Sequence, residues 1–478
     1  MDDLTYLSAT EARRLYRQRK VSPVEVMRAL IEQAERVEPS INAFAETHFE
    51  SALEEARAAE AAYGKAGAEP RPLEGIAVAV KEEAPIAGQR NTLGSLTLKD
   101  AVADHTAVFV QRILDAGGIV HARTTTPEFS CAPVTWTRLW GVTRNPWNLE
   151  FAPGGSSGGS GASLAAGSTT LATGSDIGGS IRMPASMCGV VGFKPPYGRV
   201  PEVEIFNLDH YCHEGPLART VDDAALLENV IAGPHPSDVA SLRPKLVIPD
   251  EQAGIAGMRI AFSPDLGCYA VDEDVKRNML DAVERLRDAG ATVEGVDLPW
   301  DRATLGRAAR IHFGMIFAPS LRELYERAGD LFTSYARSFY LDSEKVRKDE
   351  LVDGLLLEAK IYAPLGEILE RYDALVCPTF PVPALPAEYD NEPTVINGVP
   401  TQDWIDVLMT VPFNVCSRCP VMSVPSGRAS NGVPTGMSIV GRTYDDTTVF
   451  QVARAYEKVT PWLDARERRP AVGSPVTT

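Results

Sequence analysis

The chain has 478 residues, of which 44% are hydrophobic and 23% are charged, as is usual for a folded globular protein with a large core. Its formal net charge of −17 repels phosphates, so we expect no direct nucleic-acid partner. No apolar run approaches the ~20 residues that span a bilayer, and the acidic N-terminus lacks the apolar core of a signal peptide. We therefore expect no membrane association and a cytoplasmic location.

The first predicted element is an amphipathic helix in the segment VSPVEVMRALIEQAERVEP. Ser22 can cap its N-terminus, Pro23 suits the first helical position, and Glu25 completes a capping box. A second helix, rich in alanine and glutamate, is predicted over Phe49–Tyr63.

The hydrophobic period then changes from helical to alternating in RPLEGIAVAVKEEAP, which predicts a strand. The larger apolar residues of this strand share one face, whereas Lys81 shares the other face with two alanines. Lys81 is therefore expected at the end of a buried strand, with only small neighbours beneath it.

Further predicted elements are a helix at Thr106–Asp115, a strand at GGIVHAR, a strand at GMRIAFS, a helix at Val275–Asp288 and a strand at ATVEGVD. This alternation predicts an α/β fold with a largely buried sheet. The loop-rich stretch Gly233–Gly254 is interpreted as an excursion within one large domain. We expect N-terminal helices in residues 1–65 to pack on a main domain spanning 66–470, with a variable helical segment around 300–365.

Two glycine- and serine-rich stretches, PGGSSGGSGAS and GSDIGGSIRMPAS, lie close together in the chain. The apolar segment LAAGSTTLATGSD separates them, which argues against a flexible linker and places both inside the fold. A phosphate-binding loop is disfavoured because the G-K-[S/T] ending is missing. The backbone of these stretches is therefore expected to serve a site.

One interpretation of these stretches is the nucleophile elbow of an α/β-hydrolase, since residues 154–158 satisfy G-x-S-x-G with Ser156 as the nucleophile. That esterase-type triad also needs an acid and a downstream histidine. The available histidines, none in a distinctive context, are His210, His213, His235 and His312. The other interpretation is a serine nucleophile whose base is not histidine.

Four segments resemble, in order and spacing, the amidase signature family: GIAVAVKEEAP, TRNPWNLEFAPGGSSGGSGAS, GSDIGGSIRMPASMCGVVGFKP and EGPLARTVDDAALL. The resemblance resumes in RYDALVCPTFPVPA and SVPSGRASNGVPTGMSIVGR. It implies a single α/β domain with a central mixed sheet flanked by helices, and hydrolysis of C–N bonds by a Ser–cis-Ser–Lys triad. In this sequence the resemblance assigns the lysine to Lys81, the bridging serine to Ser156, after a cis peptide bond from Gly155, and the nucleophile to Ser180.

The chemistry of such a triad requires a neutral lysine. A serine hydroxyl needs a positioned base, yet a free lysine with a pKa near 10.4 is only about one part in 10³ neutral at pH 7. Removal of water disfavours the charged form, so Lys81 must be desolvated. Ser156 would then relay the proton between Lys81 and Ser180.

The glycines of DIGGS would let successive backbone N–H groups converge as an oxyanion hole. The predicted donors are Ile177, Gly178, Gly179 and the nucleophile Ser180. Asp176 and Arg182 are interpreted as structural, pinning this loop by buried hydrogen bonds. Ser130 and Ser175 are the candidate substrate-binding residues.

No cofactor and no metal are expected. Cys416 and Cys419 have the spacing of half a zinc or redox site, but no second C-x-x-C or H-x(3–5)-H accompanies them. The seven cysteines are therefore expected to be reduced and mostly buried.

One alternative inside the family is the A subunit of a glutamine-dependent amidotransferase that acts on tRNA. This chain departs from those subunits in the segments PEVEIFNLDHYCHE and NVCSRCPVMSVPSG. We therefore favour a free-standing hydrolase, either a monomer or a homodimer, with a small-molecule amide as its partner.

Substrate choice is expected to reside in the segments outside the resemblance. The aromatic-rich stretch Ala308–Tyr340 and, as a second wall, EIFNLDHYCHE suggest an apolar or aromatic acyl or amine group. The sequence does not choose between amides, esters and carbamates, because the shape of the pocket decides this.

Overall fold

The computed structural model describes residues 4–65, 67, 69–202 and 205–472, so the expectations for residues 1–3, 66, 68, 203 and 204 lie outside the described residues. The α-helices are α1 (Ala9–Arg17), α2 (Pro23–Ile41), α3 (Phe49–Gly64), α4 (Val108–Asp115), α5 (Gly158–Ala165), α6 (Arg182–Cys188), α7 (Val221–Ile231), α8 (Glu273–Asp288), α9 (Arg302–Ala328), α10 (Ser334–Ser343), α11 (Leu351–Arg371), α12 (Pro412–Val415) and α13 (Asp446–Val459). The β-strands are β1 (Phe44–Thr47), β2 (Ala77–Lys81), β3 (Ile119–Thr124), β4 (Trp136–Thr137), β5 (Gly141–Val142), β6 (Leu171–Ser175), β7 (Val191–Lys194), β8 (Glu214–Ala218), β9 (Arg259–Phe262), β10 (Thr292–Gly295), β11 (Ala374–Pro378), β12 (Val395–Ile396), β13 (Val399–Pro400), β14 (Val421–Arg428) and β15 (Pro434–Val440).

A single sheet of 11 strands runs through the domain in the order β1-β3-β2-β6-β8-β7-β14-β15-β11-β9-β10. Strand β2 is parallel to both of its neighbours, β3 and β6, whereas β8 is antiparallel to β6 and β7. The sheet is therefore mixed, and the predicted α/β class with one large domain is confirmed.

The N-terminal helix α2 begins as its sequence predicts. The Ser22 hydroxyl accepts a hydrogen bond from the Glu25 N–H at 3.2 Å, and the Glu25 carboxylate accepts one from the Ser22 N–H at 2.8 Å. Helices α3 and α8 also match their predicted segments within two residues at each end. Helix α4 starts two residues later than predicted, and the Thr106 hydroxyl accepts a hydrogen bond from the Ala87 N–H in a preceding loop.

Strand β2 is buried on both faces. Val78 and Val80 belong to one apolar cluster and Ala79 to another, which also contains Ala162 and Ala165 of α5. Small residues on this second face let α5 pack closely against the sheet. The end of β2 is therefore fixed firmly, and Lys81 with it.

Helices α9, α10 and α11 form a layer around an aromatic-rich second core. The predicted helical stretch at 308–340 falls in α9 and α10. Between Ile231 and Arg259 the structure has neither helix nor strand, in agreement with the predicted excursion. Among the helices described, none combines the length and the apolarity that crossing a membrane requires.

Candidate active site

Lys81 meets two of the predicted serines, Ser156 and Ser175, at the carboxyl ends of two neighbouring strands. Parallel neighbours β2 and β6 pair Val78 with Leu171 and Ala79 with Ala172, so their carboxyl ends emerge side by side. Lys81 ends β2 and Ser175 ends β6. The backbone pairing thus brings together two residues that are 94 positions apart.

The side-chain nitrogen of Lys81 contacts two serine hydroxyls. Its Nζ donates to Ser156 Oγ at 2.7 Å and to Ser175 Oγ at 2.8 Å, and the lysine is only 1% exposed. The Ser157 N–H donates to the Ser180 carbonyl at 3.1 Å, which joins the two glycine-serine stretches. The peptide bond between Gly155 and Ser156 is cis, as the resemblance implied.

Close backbone packing explains the glycine before Ser156. A Cβ on Gly155 would lie 2.5 Å from the Val134 carbonyl oxygen and 2.6 Å from that of Ala132. Backbone atoms cannot yield as side-chain ends can, so only glycine fits here. The same packing fixes the position of the Ser156 hydroxyl beside Lys81.

A carboxylate that the sequence analysis missed stands beside Lys81. Oε1 of Glu83 lies 2.8 Å from Lys81 Nζ, and the Ser130 hydroxyl donates to the other carboxylate oxygen. Lys81 is thus buried, as expected, but not in apolar surroundings alone, because its long side chain reaches past the alanines of β2. The strand pattern could not place Glu83, since β2 ends at Lys81 and Glu83 lies in the turn that follows.

Glu83 is held in its ionised form. Burial opposes ionisation, but the charge of Lys81 and hydrogen bonds from Lys81, Ser130 and Ser175 outweigh it and hold the pKa of Glu83 below its usual value. By contrast, burial and the charges of Glu202 and Glu83 raise the pKa of Glu214 well above its usual value. Lys81 therefore favours the ionised form of Glu83, whereas the surroundings of Glu214 favour its neutral form.

Replacing Glu83 by glutamine tests this pairing. Glutamine keeps the shape but removes the charge that stabilises an ammonium at Lys81, so kcat/KM for an amide falls by about ten- to a hundred-fold. Removing an opposite charge also favours the neutral amine. The ascending limb of the plot of kcat/KM against pH therefore moves to lower pH.

The profile is measured from pH 5 to 10 for both Glu83→Gln and Glu82→Gln. The second variant shows whether the effect is specific to the charge of Glu83 or follows from the loss of any neighbouring carboxylate. Glu82 is buried but accepts hydrogen bonds from Thr92 and Gly94 instead. An unmoved limb in Glu83→Gln would contradict the pairing.

The two candidate substrate-binding serines have different surroundings. Ser175 is buried, and its hydroxyl accepts a hydrogen bond from Lys81. Ser130 bonds to Glu83 and also lines a cavity that reaches Ser180. Of the two, Ser130 has the more direct access to a bound molecule.

The loop before Ser180 is pinned by a buried ion pair. Arg182 donates to both carboxylate oxygens of Asp176, at 2.8 and 2.9 Å, and to Oδ1 of Asn414 at 2.7 Å. Despite burial, the charge of Arg182 and its hydrogen bonds hold the pKa of Asp176 far below its usual value. These contacts agree with the structural role interpreted for Asp176 and Arg182. Asn414 was missed because it lies 232 residues away in sequence.

One predicted oxyanion donor needs correction. The Gly179 N–H donates to Asp176 Oδ1 at 2.8 Å, which removes it from the set of available donors. Gly179 is required for another reason: its φ is +122°, and a Cβ there would overlap the Thr410 side chain. Ile177 and Gly178 remain predicted donors, and both line the cavity at Ser180.

The cavity at Ser180 is narrow, with a volume of about 30 Å³, and mostly apolar. Its lining residues are Ser130, Cys131, Ala132, Pro133, Ile177, Gly178, Ser180, Met183, Phe313, Phe317, Phe339, Trp404 and Leu408. A larger outer cavity of about 1020 Å³ shares Phe313, Phe339 and Trp404 with it. The aromatic stretch of α9 and α10 therefore forms a wall of the site.

The predicted second wall is wrong in its placement. None of the described residues 205–214 lines either cavity. Tyr211 instead stacks on His312, with ring centroids 3.5 Å apart, one layer behind Phe313. This segment supports the wall from outside because α9 lies between it and the cavity. Glu204, its first residue, lies outside the described residues.

The histidines of the esterase alternative are engaged elsewhere. His213 is buried and contacts the carbonyl oxygens of Asp176 and Ser417. His235 contacts Ser237, His210 contacts Glu358 and His312 contacts Asp209. Ser156 meets a lysine, so the Ser-His-Asp interpretation is not supported.

All seven cysteines are free, and Cys416 and Cys419 are both buried. Burial raises the pKa of the Cys419 thiol to about 12, which makes it a poor ligand or nucleophile at neutral pH.

Comparison with known proteins places these observations in a family. The profile of the Amidase family matches residues 25–450. The A subunit of the glutamyl-tRNA(Gln) amidotransferase of Carboxydothermus hydrogenoformans is 32% identical over 98% of this chain and 100% of its own length. "Acylamidase" of Rhodococcus erythropolis is 31% identical over 97% of this chain and 98% of its own. The crystal structure of a bacterial aryl acylamidase of the amidase signature family superposes with a TM-score of 0.89 at 30% identity, covering 96% of this chain and 97% of that chain.

Proposed function

Because this chain belongs to the amidase signature family, we propose that it is a free-standing amidase that hydrolyses the C–N bond of a small amide carrying an apolar or aromatic group. The amidase reaction class follows from the family and its hydrolytic relatives. The substrate class and the roles of individual residues are inferences from the site.

In the proposed mechanism, Ser180 Oγ attacks the amide carbonyl while its proton passes to Ser156 and the Ser156 proton passes to Lys81. The N–H groups of Ile177 and Gly178 stabilise the oxyanion, a contribution of about 3–4 kcal/mol for each donor. The proton returns along the same path to the leaving amine. Water then attacks the acyl carbonyl and gives a proton through Ser156 to Lys81, and the proton returns through Ser156 to Ser180 Oγ as the carboxylic acid leaves.

Glu83 gives the relay an electrostatic partner. When Lys81 accepts the proton it becomes an ammonium, 2.8 Å from the ionised Glu83 carboxylate. In a buried site an unpaired charge is costly, so the carboxylate stabilises the state that forms during acylation. We assign Glu83 as a positioning residue that acts through Lys81.

The observation that carries the substrate class is the lining of the cavity at Ser180. Its lining residues include three phenylalanines and a tryptophan but no charged side chain. A free amino acid such as glutamine would bury its charged α-amino and α-carboxylate groups there without partners, which is costly. An aromatic acyl or amine group is instead favoured, because it contacts the rings of Phe313, Phe339 and Trp404 where the narrow cavity adjoins the outer one.

A second candidate is the A subunit of a tRNA-dependent amidotransferase, because one such protein is 32% identical to this chain along nearly its whole length. The apolar cavity weighs against it, as does the net charge of −17. Activity of the isolated chain distinguishes the two candidates.

The cysteines are free and largely buried, which supports the reducing cytoplasm as the location of this protein.

We expect the purified chain alone, without cofactor or partner, to hydrolyse anilides such as 4-nitroacetanilide. Burial of a phenyl ring contributes about 1.5–3 kcal/mol, so kcat/KM for the anilide exceeds that for acetamide by about ten- to a hundred-fold. The same assay should include phenyl acetate, an aryl carbamate and free glutamine, with Ser180→Ala as the blank. Silence toward every substrate, with glutaminase activity appearing only beside partner proteins and tRNA, would favour the second candidate.

A further inference from the structure

A cluster of metal-ligating side chains lies outside the serine–lysine site. One ring nitrogen each of His210 and His312 and one carboxylate oxygen of Glu358 lie within 4.8 Å of one another. They come from three segments: the loop before β8, helix α9 and helix α11. All three residues are partly buried, so solvent has access to the cluster.

One of the three separations in this cluster matches that expected around a small divalent cation. His210 Nε2 and Glu358 Oε2 are 3.0 Å apart. Zinc–nitrogen and zinc–oxygen bonds of about 2.0–2.2 Å in a tetrahedron place neighbouring ligand atoms about 3.3 Å apart. Two imidazoles and a carboxylate are also the donor types that zinc takes in proteins with three ligands and one water.

Outer contacts orient two of the three side chains. Asp209 Oδ1 lies 2.6 Å from His312 Nε2, and the carboxylate–histidine pair is the arrangement that fixes a ligating imidazole. The Tyr211 hydroxyl donates to Glu358 Oε1 at 3.0 Å, which leaves Oε2 to face His210. Asp209 is fully buried, and its Oδ2 has no hydrogen-bond partner. A buried carboxylate retained beside an imidazole points to a charge that it balances.

From this geometry we propose that His210, His312 and Glu358 form a zinc-binding site that fastens the loop before β8 to helices α9 and α11. His312 is adjacent in the chain to Phe313, which lines the cavity at Ser180, so the site lies directly behind the wall of the substrate cavity. The bound ion takes no part in the serine–lysine chemistry, and the proposal stands whether or not the proposed amidase function holds.

The test is zinc binding by the full chain. The purified protein is stripped with a chelator and dialysed, then titrated with Zn²⁺ against a chromophoric chelator. We expect about one equivalent to bind per chain, and the thermal unfolding midpoint to rise on zinc addition because the ion binds only the folded state. The variants His210→Ala and Glu358→Gln lose more than about tenfold in zinc affinity, and Asp209→Asn loses about ten- to a hundred-fold through the orienting contact.

The matched control is His105→Ala. His105 is exposed and contacts only the neighbouring Asp104 in the hydrogen bonds described, so it offers a histidine–carboxylate pair without a second imidazole. This variant should keep the affinity and stoichiometry of the parent chain. Circular dichroism establishes that each variant is folded, and Co²⁺ substitution gives an independent visible spectrum of tetrahedral coordination. Absence of a zinc-binding site in the parent chain, or affinity unchanged in both His210→Ala and Glu358→Gln, would overturn the proposal.

Discussion

Replacing Ser180 by alanine abolishes amide hydrolysis, with kcat/KM lowered by at least about 10⁴-fold, while the protein stays folded. The hydroxyl is the atom that forms the acyl-enzyme in the proposed mechanism, and no neighbouring group replaces it. The side chain lines a cavity, so its removal changes the free energy of unfolding by less than about 1 kcal/mol. Initial rates on an anilide and the thermal unfolding midpoint measure both effects.

A matched control for Ser180→Ala is Ser160→Ala in the same pair of glycine-serine stretches. Ser160 is buried, and its hydroxyl bonds to the Thr124 hydroxyl and to the Thr173 carbonyl rather than to the side-chain nitrogen of Lys81. Its replacement should lower stability and leave kcat within a few fold. Near-normal turnover by folded Ser180→Ala would remove the assigned nucleophile, and the esterase alternative would then require Ser156→Ala to be the inactive variant.

Replacing Lys81 by arginine costs about as much activity as replacing it by alanine, although it keeps the positive charge. A guanidinium does not release its proton at any pH at which the fold survives, so arginine cannot accept a proton from Ser156. The loss is about 10³-fold or more in kcat. The measurement is kcat for the parent, Lys81→Arg and Lys81→Ala on one anilide, with Lys99→Arg as the exposed control.

A double variant extends this test. Lys81 and Ser156 are in contact at 2.7 Å and act in one relay, so Lys81→Ala combined with Ser156→Ala should cost far less than the product of the two single effects. If Lys81 were only a fixed cation, arginine would retain much of the activity. A Lys81→Arg enzyme with kcat near that of the parent would end the proposal of a lysine base.

Local elements were predictable because their determinants are neighbours in sequence. The capping box at Ser22 and Glu25 sets the start of α2 through contacts three residues apart. The apolar strand around Val78 and Val80 was recognisable from its period, although its burial on both faces depends on α5. Helix α4 shows the limit of such local prediction. It begins at Val108 rather than at Thr106, whose hydroxyl bonds to another loop.

The sequence predicted those features of the candidate site that depend on the order of the motifs. It did not predict those that depend on a contact with a residue distant in sequence. The meeting of Lys81 and Ser175 follows from parallel pairing of the two strands that they end, whereas Ser156 comes from the loop before α5. The loss of Gly179 as a donor and the role of Asn414 depend on contacts across the fold, for which the sequence carries no local signal.

By itself, the sequence determined the α/β class, the family and the candidate catalytic residues, because these reside in short segments whose residues act on their neighbours. Only the tertiary structure decided that Glu83 pairs with Lys81, that α9 rather than the loop before β8 forms the cavity wall, and that His210, His312 and Glu358 meet. The physical reason is that the contacts of long side chains and packed helices depend on which residues lie close together in space. Charge pairing, cavity shape and ligand clusters depend on that proximity, which a linear pattern does not contain.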